Sequence, residues 1–140
     1  MTTDNAVELD ARAWSNLLAP YKLPSNAQAV FELIVTLIPF FALWYVMYLS
    51  LQIHYALTLL LAVPTGMFLV RVFIIQHDCG HGSFFKNQTT NRWLGRVLGV
   101  LTCTPYDLWQ RNHALHHAGS GALEHRGIGD ITTYTVDEYN

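Results

Sequence analysis

Between Leu33 and Val70 the chain runs for 38 residues without an Asp, Glu, Lys or Arg. No other feature constrains the fold as much, because a helix crosses a bilayer core in about 20 residues. A run of 38 is too long for one span and right for two joined by a short turn. The first span is expected from about Ala29 to Leu51 and the second from Ala56 to about Ile75, with Gln52-Ile-His-Tyr55 as the turn. Only 13% of the 140 residues are charged, against about a quarter in soluble domains. The sequence therefore predicts an all-α integral membrane protein built on a helical hairpin.

The flanks of the spans fit this reading. Glu32 falls near the start of the first span and Arg71 near the end of the second, where a long side chain reaches the headgroups. Trp44, Tyr45 and Tyr48 gather as an aromatic belt does at a membrane boundary. Pro39 is tolerable inside a membrane helix and can kink it, whereas Pro64 with Gly66 is expected to interrupt the second span. Residues 1–28 read as a polar tail with a short helix around Ala11–Leu18, and they lack the basic start and cleavage site of a signal peptide. The turn carries no Lys or Arg, whereas Lys86, Arg92, Arg96, Arg111 and Arg126 follow the second span. The positive-inside rule then puts both chain ends in the cytoplasm. A net charge of −2 without a basic tract gives no reason to expect nucleic acid as a partner, and Cys79 and Cys103 form no CxxC pair or disulfide framework.

Five of the seven histidines lie just beyond the second span, as His77 and His81, then His113, His116 and His117. Spacings of i, i+4 and i, i+3, i+4 put each set on one face of a helix. Two such faces can converge on one or two metal ions. An all-nitrogen, carboxylate-poor set suits iron, copper, nickel or zinc and excludes magnesium and calcium. Cys79 reads as a small packing residue. Asp78 resembles the glutamate of a HExxH protease with a shorter arm, and is better read as orienting an imidazole through its free N–H. Asp107 and Asn112, with Asp130, are weaker candidates for the same role. No catalytic group beyond the metal ligands is evident. His54 and His125 read as solvated loop residues, and Trp93 and Trp109 as packing or interfacial residues.

Trp93, Leu94, Val97, Leu98 and Leu101 recur at helical spacing in a stretch too short to cross a bilayer, which predicts an interfacial or packed helix. Thr104-Pro-Tyr-Asp breaks it, a further helix carries Trp109 to His117, and residues 118–130 read as a glycine-rich loop. Thr135-Val-Asp-Glu138 matches a capping box, which announces a helix. Because the sequence stops two residues later, it is expected to be the N-terminal piece of a longer protein.

The segments HDCGHGSFF (77–85), TPYDLWQRNHALHH (104–117) and RGIGDITTYTVDEY (126–139), following a hydrophobic hairpin, resemble membrane fatty acid desaturases of the acyl-lipid Δ12 or ω-6 type. The resemblance covers roughly residues 30 to 140. It implies a partial desaturase domain over residues 29–140, with two transmembrane helices of an expected four. It also implies that His77, His81, His113, His116 and His117 are ligands of a non-haem di-iron centre. A third histidine box of the family pattern is missing, so an incomplete, inactive fragment is expected. The implied activity is O2-dependent introduction of a cis double bond into a membrane-lipid acyl chain, with electrons from a ferredoxin or cytochrome b5. The implied setting is a bacterial inner membrane with the histidine boxes on the cytoplasmic side. Alternatives are a hydroxylase or carotenoid oxygenase on the same scaffold, or a non-enzymatic metal-binding membrane module.

Overall fold

A computed structural model describes residues 11–18, 23–119 and 134–139. Half of the expected tail, and most of the glycine-rich loop with His125 and Asp130, lie outside the described residues. The elements are α1 (Ala11–Leu18), α2 (Asn26–Ser50), α3 (Tyr55–Gly80), α4 (Gln88–Leu101), α5 (Tyr106–Gly119) and α6 (Val136–Tyr139), with no strand among the described residues. The fold is the expected all-α hairpin with histidine-bearing helices beyond it. Helices α2 and α3 are each long and apolar enough to cross a membrane. Both run through their prolines, Pro39 and Pro64, so the interruption expected at Pro64 and Gly66 does not occur and α3 is one continuous helix. Ser25 caps α2 by accepting from the Gln28 N–H, and His54 caps α3 through Nδ1, which accepts from the Ala56 N–H at 3.1 Å. His54 is thus a capping residue as well as an exposed one. Helix α3 continues past Ile75 to Gly80, so His77 belongs to the same rod as the span.

The hairpin is packed in the opposite sense to a soluble helix pair. Thr36, Ser50, Thr58 and Thr65 are buried between α2 and α3, while Ile38, Trp44, Leu60, Val63 and Met67 face outward. Ser50 and Thr58 share a hydrogen bond of 2.7 Å across the turn, and Thr65 Oγ1 donates to Leu61 O and to Met47 Sδ. At the other end Arg71 Nε donates to Thr36 Oγ1 at 2.8 Å, and its guanidinium pairs with Glu32. Small polar residues at a helix seam with bulky apolar ones outside is the arrangement that hydrocarbon favours. Lipid already solvates leucine, so close packing and hydrogen bonds must hold the helices together.

Helix α4 folds back along α3 around a core of Phe40, Val72, Ile75, Cys79 and Leu98. The intervening loop is fixed by side chains rather than by length. Buried Asn91 accepts from the Phe85 N–H at 2.7 Å and donates to Phe85 O at 2.9 Å, while Asn26 accepts from the Lys86 N–H. Gly82, at φ 69°, makes the first bend. Gly95 and Gly99 leave room for Tyr106 at the start of α5. Thr135 and Glu138 form the expected capping box, the Thr135 N–H reaching Glu138 Oε2 at 2.9 Å and the Glu138 N–H reaching Thr135 Oγ1 at 3.3 Å.

Helix α4 ends in a Schellman turn. The Thr104 N–H donates to Gly99 O at 2.8 Å and the Cys103 N–H to Val100 O at 3.3 Å. This geometry needs a left-handed residue at position 103, and the chain places a cysteine there, at φ 53°. A side chain in that conformation costs about 1–2 kcal/mol, partly offset by the extra unfolded-state freedom of glycine. Cys103→Gly should stabilise the detergent-solubilised chain by about 0.5–1 kcal/mol, seen as a higher thermal midpoint. Cys103→Ala, which removes the thiol and keeps the strain, should not.

Candidate metal centre

The last turn of α3 and the second half of α5 bring four imidazoles to one point. The Nε2 atoms of His77, His81 and His113 form a triangle with edges of 2.9 Å (77–113), 3.1 Å (81–113) and 3.3 Å (77–81). His117 Nε2 lies 3.1 Å from that of His113. One ligand atom from each of the four lies within 4.8 Å of every other. Nitrogens about 2.1 Å from a shared ion stand about 3.0–3.4 Å apart, so the spacing is that of a coordination sphere.

Hydrogen bonding alone cannot account for the triangle. A ring nitrogen either carries a proton or offers a lone pair, never both. Among three mutually close nitrogens, at least two must therefore be alike. His77 Nδ1 lies 3.2 Å from Asp78 Oδ1, so a neutral ring that donates there turns its Nε2 lone pair toward the cluster. Asp78 is thus the carboxylate that meets the outer nitrogen of the His77 ring. The four imidazoles could hold a metal ion, which satisfies all their lone pairs at once.

Aromatic packing and one glycine position α5. Trp109 stacks on the His113 ring at 4.7 Å and 15°, and meets Phe73 of α3 edge-on at 5.6 Å. Gly80 lies directly beneath it, where an added Cβ would come within 2.8 Å of the indole. Gln110 Nε2 donates to Gly80 O at 2.8 Å. The residue immediately before His81 is therefore the one against which α5 is seated. Arg96 grips Asp107 with Nε donating to Oδ2 at 3.0 Å and to Oδ1 at 3.2 Å and Nη2 donating to Oδ1 at 3.1 Å, and ties α4 to the first turn of α5.

The other residues singled out from the sequence are less close to this point. His116 lies outside the converging four, with its ring 6.0 Å from that of His113 and 5.6 Å from that of His117. The Asp107 carboxylate meets Arg96 rather than an imidazole. Asn112 is exposed on α5. Cys79 points away from the cluster into the core, 1% exposed. Sequence reasoning missed Gly80 and Gln110, and it gave Trp109 no part in holding a histidine. The adjacent HDCGH glycine and the tryptophan one turn before His113 were the available signals.

Two imidazoles are harder to protonate than usual. His113 is pushed down to about 4, first by partial burial and then by the neighbouring His77, His117, His81 and His116. His81 is lowered by burial and then by His77 and His117. At neutral pH His113 is therefore in its ligand form. Alanine at His77, His81, His113 or His117 should weaken cobalt(II) binding by at least about tenfold, read from d–d absorption, and His116→Ala should weaken it less. The metal-free chain should also loosen in acid. An unfolded histidine takes its proton near pH 6.5 and folded His113 only near 4. Acid between these values therefore favours the unfolded state. Hydrogen-exchange protection of α5 should fall across that window, and constant protection would contradict the assignment.

A model of the fatty acid desaturase family matches residues 51–136, which include both histidine clusters. A fatty acid desaturase of Bacillus subtilis is 44% identical over 137 residues, covering 98% of this chain and 39% of that protein. An sn-1 acyl-lipid omega-3 desaturase (ferredoxin) of Synechocystis is 39% identical over 67 residues, covering 48% of this chain and 18% of the relative. An sn-1 oleoyl-lipid 12-desaturase of Arthrospira platensis is 39% identical over 62 residues, covering 44% and 18%. The chain thus spans well under half the length of these relatives. No solved structure matches it. With the family's pattern extending over more than half of its residues, the chain belongs to the fatty acid desaturase family.

Proposed function

We propose that the chain supplies the first two histidine boxes of a di-iron acyl-lipid desaturase. The convergence of His77, His81, His113 and His117 at the end of a membrane-spanning helix is the observation that carries the reading. His116, beside His113 and His117, extends the set toward a second ion. Asp78 keeps His77 in the ligand tautomer. Asp107 and Asn112 remain more distant candidates for such support, Asp107 acting through the Arg96 contact that seats α5. The reading assigns the remaining ligands to the part of such relatives that these 140 residues do not cover, since the chain spans 39% of the Bacillus subtilis protein, and it takes the 140 residues by themselves to be inactive.

When bound, the irons supply the O2 activation that attack on an unactivated CH2–CH2 unit requires. The overall change consumes O2, two electrons and two protons and yields one cis double bond and two waters. The protein's own residues do the positioning. Trp109 packs the His113 ring on one side, and rigid α3 carries His77 and His81 at a fixed height above the bilayer. The outward apolar faces of α2 and α3 put that height within reach of lipid acyl chains. The reading includes an electron donor of the ferredoxin or cytochrome b5 type, and the Synechocystis relative is a ferredoxin desaturase. It also places the boxes on the cytoplasmic side of a bacterial inner membrane, on the strength of Lys86, Arg92, Arg96 and Arg111 beyond the second span.

The decisive experiment starts with the coding sequence downstream of codon 140. A further hydrophobic hairpin and another HxxHH are expected there. The extended protein, purified anaerobically, should hold about two irons per chain and add a cis double bond to host lipids, seen by gas chromatography of their methyl esters. The same assay on the 140-residue chain should show no change. Absence of iron from the extended protein would sink the di-iron reading, and a hydroxylated product would favour the hydroxylase alternative.

A further inference from the structure

Helix α4 has two apolar faces. One, with Leu98 and the close-packed Gly95 and Gly99, lies against α3 and α5. The other exposes Trp93, Val97 and Val100, at 62%, 58% and 77%. Arg92 and Arg96 flank that second face, and the Arg96 guanidinium sits 5.1 Å from the Trp93 ring centre. An exposed apolar stripe edged by arginines, at the end of a membrane hairpin, is the signature of a helix lying in the headgroup layer.

Arg92 and Arg96 also open into a cleft of about 440 Å³ between α4 and α5, lined further by Arg111, Asp107, Gln110, Gly80 and Ala114. Three guanidiniums face one carboxylate there, and that carboxylate is already held by Arg96. The cleft is therefore cationic and rich in planar donors, the chemistry that recognises phosphate. Gly80 places it against the last turn of α3, beside the imidazoles.

We propose that this cleft binds the phosphate of a phospholipid headgroup through Arg92, Arg111 and the free edge of Arg96. The lipid source, rather than a soluble phosphate, follows from the exposed Trp93, Val97 and Val100 stripe, which sets the cleft at headgroup depth. The inference deepens the proposed lipid substrate by giving its carrier a phosphate.

Native mass spectrometry of the full chain in detergent tests this, with phosphatidylglycerol, monogalactosyldiacylglycerol and inorganic phosphate as probes. Phosphatidylglycerol should be retained, and Arg92→Gln/Arg111→Gln should weaken it by about tenfold. Arg92→Lys/Arg111→Lys should recover part of the loss, which separates misfolding from a missing contact. Lys86→Gln, which removes a like charge outside the cleft, should have no effect. Equal retention of the galactolipid, unchanged binding in the double glutamine variant, or an equal loss in Lys86→Gln would each overturn the proposal. Displacement of the phospholipid by millimolar inorganic phosphate would overturn the lipid source. The readout needs neither iron nor turnover, so failure here leaves the metal centre standing, and failure of the metal centre leaves this result readable.

Discussion

Helix α3 is the shared support of the structure, since α2, α4 and α5 all pack against it. It is held to α2 by hydroxyls near the turn and, further along, by the Arg71 contacts to Thr36 and Glu32. Its outer half buries Val72, Ile75 and Cys79 beside Leu98 of α4. Its last turn carries His77 and His81 and receives Trp109 on Gly80. One unbroken rod thus transmits the position of the membrane to the imidazoles. Nothing softer than a helix backbone separates the two.

The seat of α5 is the most demanding contact. Backbone must come close to an indole, so the last turn of α3 accepts no side chain at position 80. The same closeness lets the Gln110 amide reach Gly80 O and lets Trp109 lie flat on His113. A histidine cluster built on two helices needs this kind of support, because each imidazole alone has rotamer freedom that would scatter the donors. Here the orienting groups are an adjacent carboxylate for His77 and an aromatic plane for His113.

The hairpin, the extra helices and the convergence of two histidine sets were legible in the sequence, because charge-free length and helical spacing are local signals. The capping box at Thr135 was legible for the same reason. Features made by distant partners were not. Arg71 read as a side chain reaching for headgroups, yet it turns to Thr36 and Glu32, 35 and 39 residues away in sequence. His54 read as a loop residue, and only the geometry of the turn makes it a cap. The separation of His116 from the other four depends on how α5 is rotated over α3, which spacing within α5 cannot reveal.

The continuity of α3 also restricts how such a protein can adapt to membranes of different thickness. One residue added between Arg71 and His77 would turn both imidazoles by about 100° and advance them by about 1.5 Å, scattering the cluster. Length can change freely only at the opposite end, around the turn at 51–54, where extra residues move nothing near the histidines. A thicker bilayer is then met by growth at that turn, and a thinner one by tilting the whole rod. Comparison of related chains should therefore find insertions gathered on the far side of the membrane from the metal-binding face.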